Sequence, residues 1–310
     1  MINITKFVSS GRFLPTATVV VAYIAVNQFV DLPNLWYWST AIWLVLTILL
    51  GLQSWGQIFG NFVVRIKHKF NLPSKENYIN KSAYILPFTG KWNVYNGGVT
   101  KTLSHSWGQI AQRYAYDFIA FDDNGNVFEG GEYDGTANTK PENYFCHGRE
   151  IIAAADGVVV AVKDKYPDSR TTGLRGFCDA WDIRGNFVVI RHNEGEYSTS
   201  AHLLQGSVVV KIGDVVKQGD VVGKCGNSGN STEPHLHWHL QNGKNFFLSA
   251  GLPVIFSEIT AEDSKGYALW HEKLGVKTRT SEGNLEILED KMYIGRGLDV
   301  QNKRDISPYN

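Results

Sequence analysis

The residue types able to do chemistry gather in one stretch, Gly226-Asn227-Ser228-Gly229-Asn230-Ser231-Thr232-Glu233-Pro234-His235-Leu236-His237-Trp238-His239-Leu240. A loop of small polar residues stops at a proline and passes into an alternation of histidine with apolar side chains. Period two is strand geometry, so His235, His237 and His239 project from one face and Leu236, Trp238 and Leu240 from the other. Imidazoles two positions apart on a strand lie about 7 Å from each other, close enough to share one ion or to serve as one ligand and one base. His235 and His239 are roughly twice that distance apart, too far for all three to reach one metal readily. A metal site is therefore weighed against ordinary hydrogen-bonded strand histidines, and the glycine-rich approach favours the metal.

Such a site needs a sheet to hold it, and the composition suits one. The chain has 310 residues and is 43% hydrophobic, enough for a full core in one large domain or two. Thirty acidic residues balance thirty basic ones, so no global field points to nucleic acid or an acidic polymer as partner. With 31 glycines and 13% aromatic residues, a turn-rich, mainly β protein is expected. Short β-rich runs recur at 116–121, 151–162, 187–191, 207–211 and 221–224 with glycine and asparagine turns between them. That spacing predicts an antiparallel sheet or barrel-like domain. Asp156-Gly157 between two apolar runs predicts a compact hairpin. Gly213-Asp214 and Gly219-Asp220 look like successive turns of one sheet. Cys146, Cys178 and Cys225 form neither a zinc ribbon nor a disulfide framework, although one pair is able to bridge in an oxidising space.

The first 69 residues differ in kind. Residues 13–30 and 36–55 are uncharged and apolar enough to be candidate membrane helices, joined by a short connection containing Asp31 and Pro33. Trp36, Tyr37, Trp38 and Trp55 are placed like an interfacial belt. A two-helix membrane hairpin over 1–69 is expected, then a polar linker at 70–91. A β domain over 92–250 and a C-terminal β extension over 251–310, walling one side of a groove, complete the expected layout. Lys6, Arg12, Arg65, Lys67 and Lys69 flank the hairpin, and by the positive-inside rule they put both its ends in the cytoplasm. Isolated histidines (His68, His192, His271) and Glu233 in its polar turn are expected to be solvated.

Several motifs carry a family resemblance over about residues 115–240. Ala154-Ala155-Asp156-Gly157-Val158-Val159, Gly185-Asn186-Phe187-Val188-Val189-Ile190, Tyr197-Ser198-Thr199-Ser200-Ala201-His202-Leu203, the two Gly-Asp turns and Gly226 through His237 occur in the order found in a known group. Together they resemble the lysostaphin-type (LytM-like) zinc endopeptidases of bacterial cell walls. The resemblance implies a small, mostly antiparallel β fold with a groove over Zn2+, and hydrolysis of peptide cross-links in peptidoglycan. By motif, His237 corresponds to a zinc ligand and His202 and His235 to the catalytic histidine pair. The remaining ligands of that family come as His-x-x-x-Asp. Here Asp117 supplies the aspartate, but Arg113 stands where the histidine belongs, and a guanidinium stays protonated and cannot ligate zinc. His105 in Ser104-His105-Ser106-Trp107 is the preferred replacement, because Gln112-Arg113-Tyr114-Ala115-Tyr116-Asp117-Phe118 with a histidine about a dozen residues ahead also resembles a branch of the family. His147 is the second choice. Asn227 and Arg113 are the expected substrate contacts. Arg113 also supports the opposite reading, a non-catalytic binding or activator module with a degenerate metal site. A peptidoglycan substrate places the domain outside the cytoplasm, against the charge bias at the hairpin.

Overall fold

The period-two runs become strands, and every pairing between those strands is antiparallel. The computed structural model describes residues 41, 52–130, 139–169, 182–274 and 284–304. The chain divides into two compact units, residues 1–60 and 61–310, and the sheets lie in the second. Helix α1 (Leu52–Lys67) precedes β1 (Trp92–Asn96) and β2 (Tyr116–Ile119). Next come β3 (Glu150–Ile152), β4 (Gly157–Lys163), β5 (Asn186–Asn193) and β6 (Glu196–Leu203). They are followed by β7 (Val215–Val216), β8 (Val221–Lys224), β9 (Leu236–Gln241) and β10 (Gly251–Leu252). The C-terminal part supplies β11 (Phe256–Ser257), β12 (Ile259–Asp263), α2 (Lys265–Lys273), β13 (Leu285–Leu288), β14 (Lys291–Ile294) and β15 (Leu298–Asn302).

Ten strands form the main sheet in the order β12-β15-β1-β2-β9-β6-β5-β4-β7, with β10 paired to β9. This sheet is open rather than barrel-like. Its edges discourage closure: β7 is two residues long, and β12 carries the exposed charges of Glu262 and Asp263. The C-terminal extension joins it through β12 and β15, which bring the end of the chain against β1.

The register of β2 against β9 sets the two faces. Tyr116 is opposite Trp238, Asp117 opposite His237, and Phe118 opposite Leu236. Tyr116, Phe118, Leu236, Trp238 and Leu240 thus share the core face, while Asp117 and His237 share the other. Tyr84, Phe88 and Phe256 pack on the core face; Phe88 stacks on Trp92 at 4.8 Å and meets Phe118 edge-on at 4.9 Å.

The end of the expected linker belongs to this core. Tyr84, Leu86 and Phe88 are fully buried, and Asn302 bonds the backbone of Leu86 and Phe88 as a neighbouring strand would. Upstream of them, the Glu196 carboxylate accepts from Tyr78 Oη, Lys81 N, Ser82 N and Tyr84 Oη at 2.6–3.1 Å. Four donors offset the cost of a buried carboxylate and fasten the segment to β6.

Two local expectations change. Asp156-Gly157 makes no hairpin, because β3 pairs with β8 in a separate two-stranded sheet while β4 pairs with β5 and β7. The Asp156 carboxylate instead accepts from Gln218 N and Lys217 Nζ. The Gly-Asp turns do repeat: Asp214 accepts from Lys211 N, and Asp220 from Lys217 N, three residues back in each case. Among the described residues no helix is long and apolar enough to cross a membrane. The candidate spans 13–30 and 36–55 lie outside the described residues except at 41 and 52–55.

Candidate metal centre

Asp117 is the hub. Directly opposite His237 on the neighbouring strand, its Oδ1 lies 2.9 Å from His237 Nδ1, and its Oδ2 lies 3.3 Å from His105 Nε2. His235 Nε2 is 3.7 Å from Oδ1, and Asn96 Nδ2 donates to Oδ2 at 3.3 Å. Two sets of nearby donor atoms result, His105–Asp117–His237 and His202–His235–His237, with His237 in both. Asp117 and His237 are buried at 8% and 5% exposure, and no lysine or arginine among the described residues pairs with the carboxylate. Burial alone would push the Asp117 carboxyl up; the rings of His105, His237 and His235 hold it well below the usual carboxylate range.

The donor set fits zinc. Ligand distances of about 2.0–2.2 Å put neighbouring donors of a tetrahedron roughly 3.3 Å apart, and two imidazoles plus a carboxylate are ordinary zinc ligands. His105 Nε2 and His237 Nδ1 lie 3.3 and 2.9 Å from opposite oxygens of Asp117, and one donor atom from each of the three lies within 4.8 Å of the others. A buried carboxylate facing imidazoles, with no lysine or arginine as partner, is also a place where a cation removes an electrostatic cost.

The loop bearing His105 is tied down on both sides. Gly97 N donates to Leu103 O, Arg296 donates to Thr102 O, and Gln109 N donates to Ser106 O. Asn61 of α1 accepts from Ile110 N and donates to Gly108 O. The ties to Arg296 and Asn61 join residues far apart in the chain and leave no mark in its sequence.

His202 and His235 are set up alike. His202 Nδ1 donates to Ser228 O at 2.7 Å, which leaves its Nε2 as the acceptor of the neutral ring; His235 Nδ1 donates to Glu233 O at 2.8 Å, and its Nε2 faces Asp117 Oδ1 at 3.7 Å. Their ring centroids are 4.7 Å apart. Burial, then the charges of His235 and His237, lowers the His202 pKa well below the ordinary value, so this ring is neutral at neutral pH. His202 also has a left-handed backbone, φ 61°, uncommon for a non-glycine residue. Three bonds hold it there: its N–H to Arg184 O, its carbonyl from Gly226 N, and its ring to Ser228 O. A Cβ on Gly226 would meet Leu204 N at 2.4 Å, so only glycine allows this approach.

Other expected site residues stand elsewhere. His147 is drawn away by Asp168, 3.0 Å from its Nε2, and belongs to neither donor set. Asn227 is fully buried; its N–H donates to the same Asp168, its carbonyl accepts from Ser169 N, and its side-chain amide is buried without a hydrogen-bond partner among the described residues. Arg113 meets no carboxylate among the described residues and lies over the Trp107 ring. His239 stays apart, bonded to Gln241 Oε1, and burial, then the charge of His237, drives its pKa down to about 3. Glu233 is only partly exposed, and burial, then the charge of Asp117, pushes its carboxyl up to about 7. His192 bonds Asp156 O and Ser198 Oγ, His271 bonds Tyr267 O, and His68 meets Asn242 Nδ2.

Comparison with known proteins bears on this arrangement. Residues 143–247 match Peptidase family M23, a stretch that contains His202, His235 and His237 but neither His105 nor Asp117. Peptidoglycan DD-endopeptidase ShyC of Vibrio cholerae is 37% identical over 97 residues, 31% of this chain and 18% of that protein. DD-carboxypeptidase/endopeptidase Mpg of Neisseria meningitidis is 36% identical over 128 residues, 41% of this chain and 25% of that protein. The chain thus spans no more than a quarter of the length of either relative. The catalytic domain of lysostaphin from Staphylococcus simulans aligns over 53% of this chain and 88% of that one, at 20% identity and a TM-score of 0.28, too low for geometric comparison. Residues 143–247 are thus similar to Peptidase family M23, in the same stretch that carries most of the lysostaphin-type, LytM-like resemblance.

Proposed function

We propose that this protein is a zinc-dependent endopeptidase that hydrolyses peptide cross-links of bacterial peptidoglycan. The observation that carries the proposal is the sharing of His237 between a His105–Asp117–His237 donor set and a His202–His235 pair. His105, Asp117 and His237 would hold the metal. Zinc bound there supplies Lewis acidity, polarising a scissile carbonyl and bringing the pKa of water towards 7. The chain's own residues move the protons. Nε2 of His202 is an acceptor, with Nδ1 anchored on a carbonyl, and fits a general base; His235 is anchored in the same way beside it. Once protonated, the same ring donates to a developing oxyanion or to the leaving amine. Burial keeps His202 neutral beforehand, the state a base requires.

The names of the relatives, peptidoglycan DD-endopeptidase and DD-carboxypeptidase/endopeptidase, support the substrate class. The proposal includes membrane attachment through residues 13–30 and 36–55, with the peptidase domain on the extracytoplasmic side where that substrate lies. A compartment reporter fused to the C-terminus should be active outside the cytoplasm; activity inside would remove that part. For the enzyme, purified cross-linked muropeptides are incubated with the wild-type chain and with His237→Ala. Cross-link cleavage that is lost in the variant, lost with chelator and restored by zinc is expected. A wild-type chain that binds zinc and leaves every cross-link intact would favour a binding module instead.

A further inference from the structure

The replacement of the usual ligand position by Arg113 has its own place in the site. Arg113 closes the short 3-10 helix Ile110–Gln112, and its guanidinium carbon sits 4.9 Å from the centre of the Trp107 ring. Tyr114 meets the same ring edge-on at 5.6 Å. Trp107 is thereby held between consecutive side chains of the segment leading into β2. It also packs with Ile255 against Val99, Tyr114 and Tyr293. Two residues before Trp107 is His105, whose side chain is 26% exposed and reaches back to Asp117 across 3.3 Å.

The backbone ties of this loop flank His105 without fixing its direction. Leu103, Ser104 and Ser106 are engaged on either side of it. Two residues to either side of His105 stand the loop's apolar anchors: Leu103, which is fully buried, and Trp107, which packs on Val99, Tyr114 and Tyr293. Arg113 has no carboxylate partner among the described residues; the neighbouring Tyr114 is its side-chain hydrogen-bond partner, and its Nε is buried without an acceptor. An arginine with its charge spent on neither an ion pair nor that acceptor, and its plane over an indole, fits a stacking role.

We infer that Arg113 is a positioning residue: stacked on Trp107, it clamps the loop that delivers His105 to Asp117 and so substitutes for the ligand it displaced. This inference rests on the metal reading above. The chain places its third donor on a loop and uses the vacated ligand position to hold that loop down.

The test is a double-mutant cycle on zinc affinity, measured by competition with a chromophoric chelator on the full-length chain. Arg113→Ala is expected to weaken zinc binding about tenfold, in line with a desolvated cation–π contact. Arg113→Lys, which keeps the charge and loses the planar stack, should weaken it several-fold. In a His105→Ala background neither change should weaken it further. Thermal unfolding of the metal-free variants checks that each is folded, and Arg113→Lys decides the matter if Arg113→Ala is not. Wild-type affinity in both Arg113 variants, or an equal loss with and without His105, would overturn the clamp while leaving the metal site intact. A wild-type chain without zinc affinity would overturn the site and the clamp together.

Discussion

The five site residues divide by what their polar atoms already do. Asp117 faces His237 through one carboxylate oxygen and His105 through the other, the arrangement of a metal-ligand set. His202 and His235 each donate from Nδ1 to a backbone carbonyl, as bases do. This division makes a separable prediction. His202→Asn or His235→Asn should lower kcat by about 10²–10⁴-fold with the zinc content unchanged. Asp117→Asn should instead lose zinc, because it removes the charge that offsets the cation. Metal analysis beside muropeptide turnover reads both; zinc lost from the His202 variant would mean that this histidine is a ligand. The His-x-His pattern and the apolar run around Asp117 made those residues legible in the sequence. His105 was legible only through the misfit of Arg113. His147 misled because its partner Asp168 lies on another loop, and spacing along the chain does not say which loops meet. Glu233 misled too: a polar turn reads as solvated, but this one folds back towards Asp117.

Elements matter here chiefly as fasteners. Glu196 at the start of β6 binds residues 78–84 through four donors. Glu196→Ala should strand buried donors and cost about 3 kcal/mol or more of stability, seen as a lower urea midpoint. A change within ±0.5 kcal/mol, as at an ordinary surface site, would contradict the fastening. The 84–88 segment carried a readable signal, the apolar run Tyr84-Ile85-Leu86-Pro87-Phe88, but the polar residues before it hid the transition. Helix α2 falls where a β extension was expected; Ser264 Oγ accepts from Tyr267 N and caps its start. The absent Asp156-Gly157 hairpin has a different cause. Turn chemistry permits a hairpin, but the partners of β3 and β4 are chosen by the sheet, and β8 and β5 lie far along the chain.

At the scale of the whole molecule, histidines kept neutral by burial make stability depend on pH. Burial lowers the pKa of His202, His192 and His239, the last to about 3. In the unfolded chain these rings titrate near 6.5. Below that value each of these three rings binds more protons unfolded than folded and draws stability down as pH drops from about 6.5, against one opposing carboxyl, Glu233, which is pushed up to about 7. Asp117, already far below the usual range, adds to the loss only at more acidic pH. The metal-free chain should therefore have a lower urea midpoint at pH 5 than at pH 7; equal midpoints would contradict the burial of neutral rings.

The open sheet serves this site by joining distant parts of the chain. β9 lies between β2 and β6, so the central strand receives Asp117 on one side and His202 on the other. X-ray absorption at the zinc edge of the zinc-loaded chain tests the central claim most directly. Two imidazole nitrogens and a carboxylate oxygen at about 2.0–2.2 Å are predicted, with one imidazole lost in His105→Ala. No bound zinc, or a first shell unchanged by His105→Ala, would contradict it.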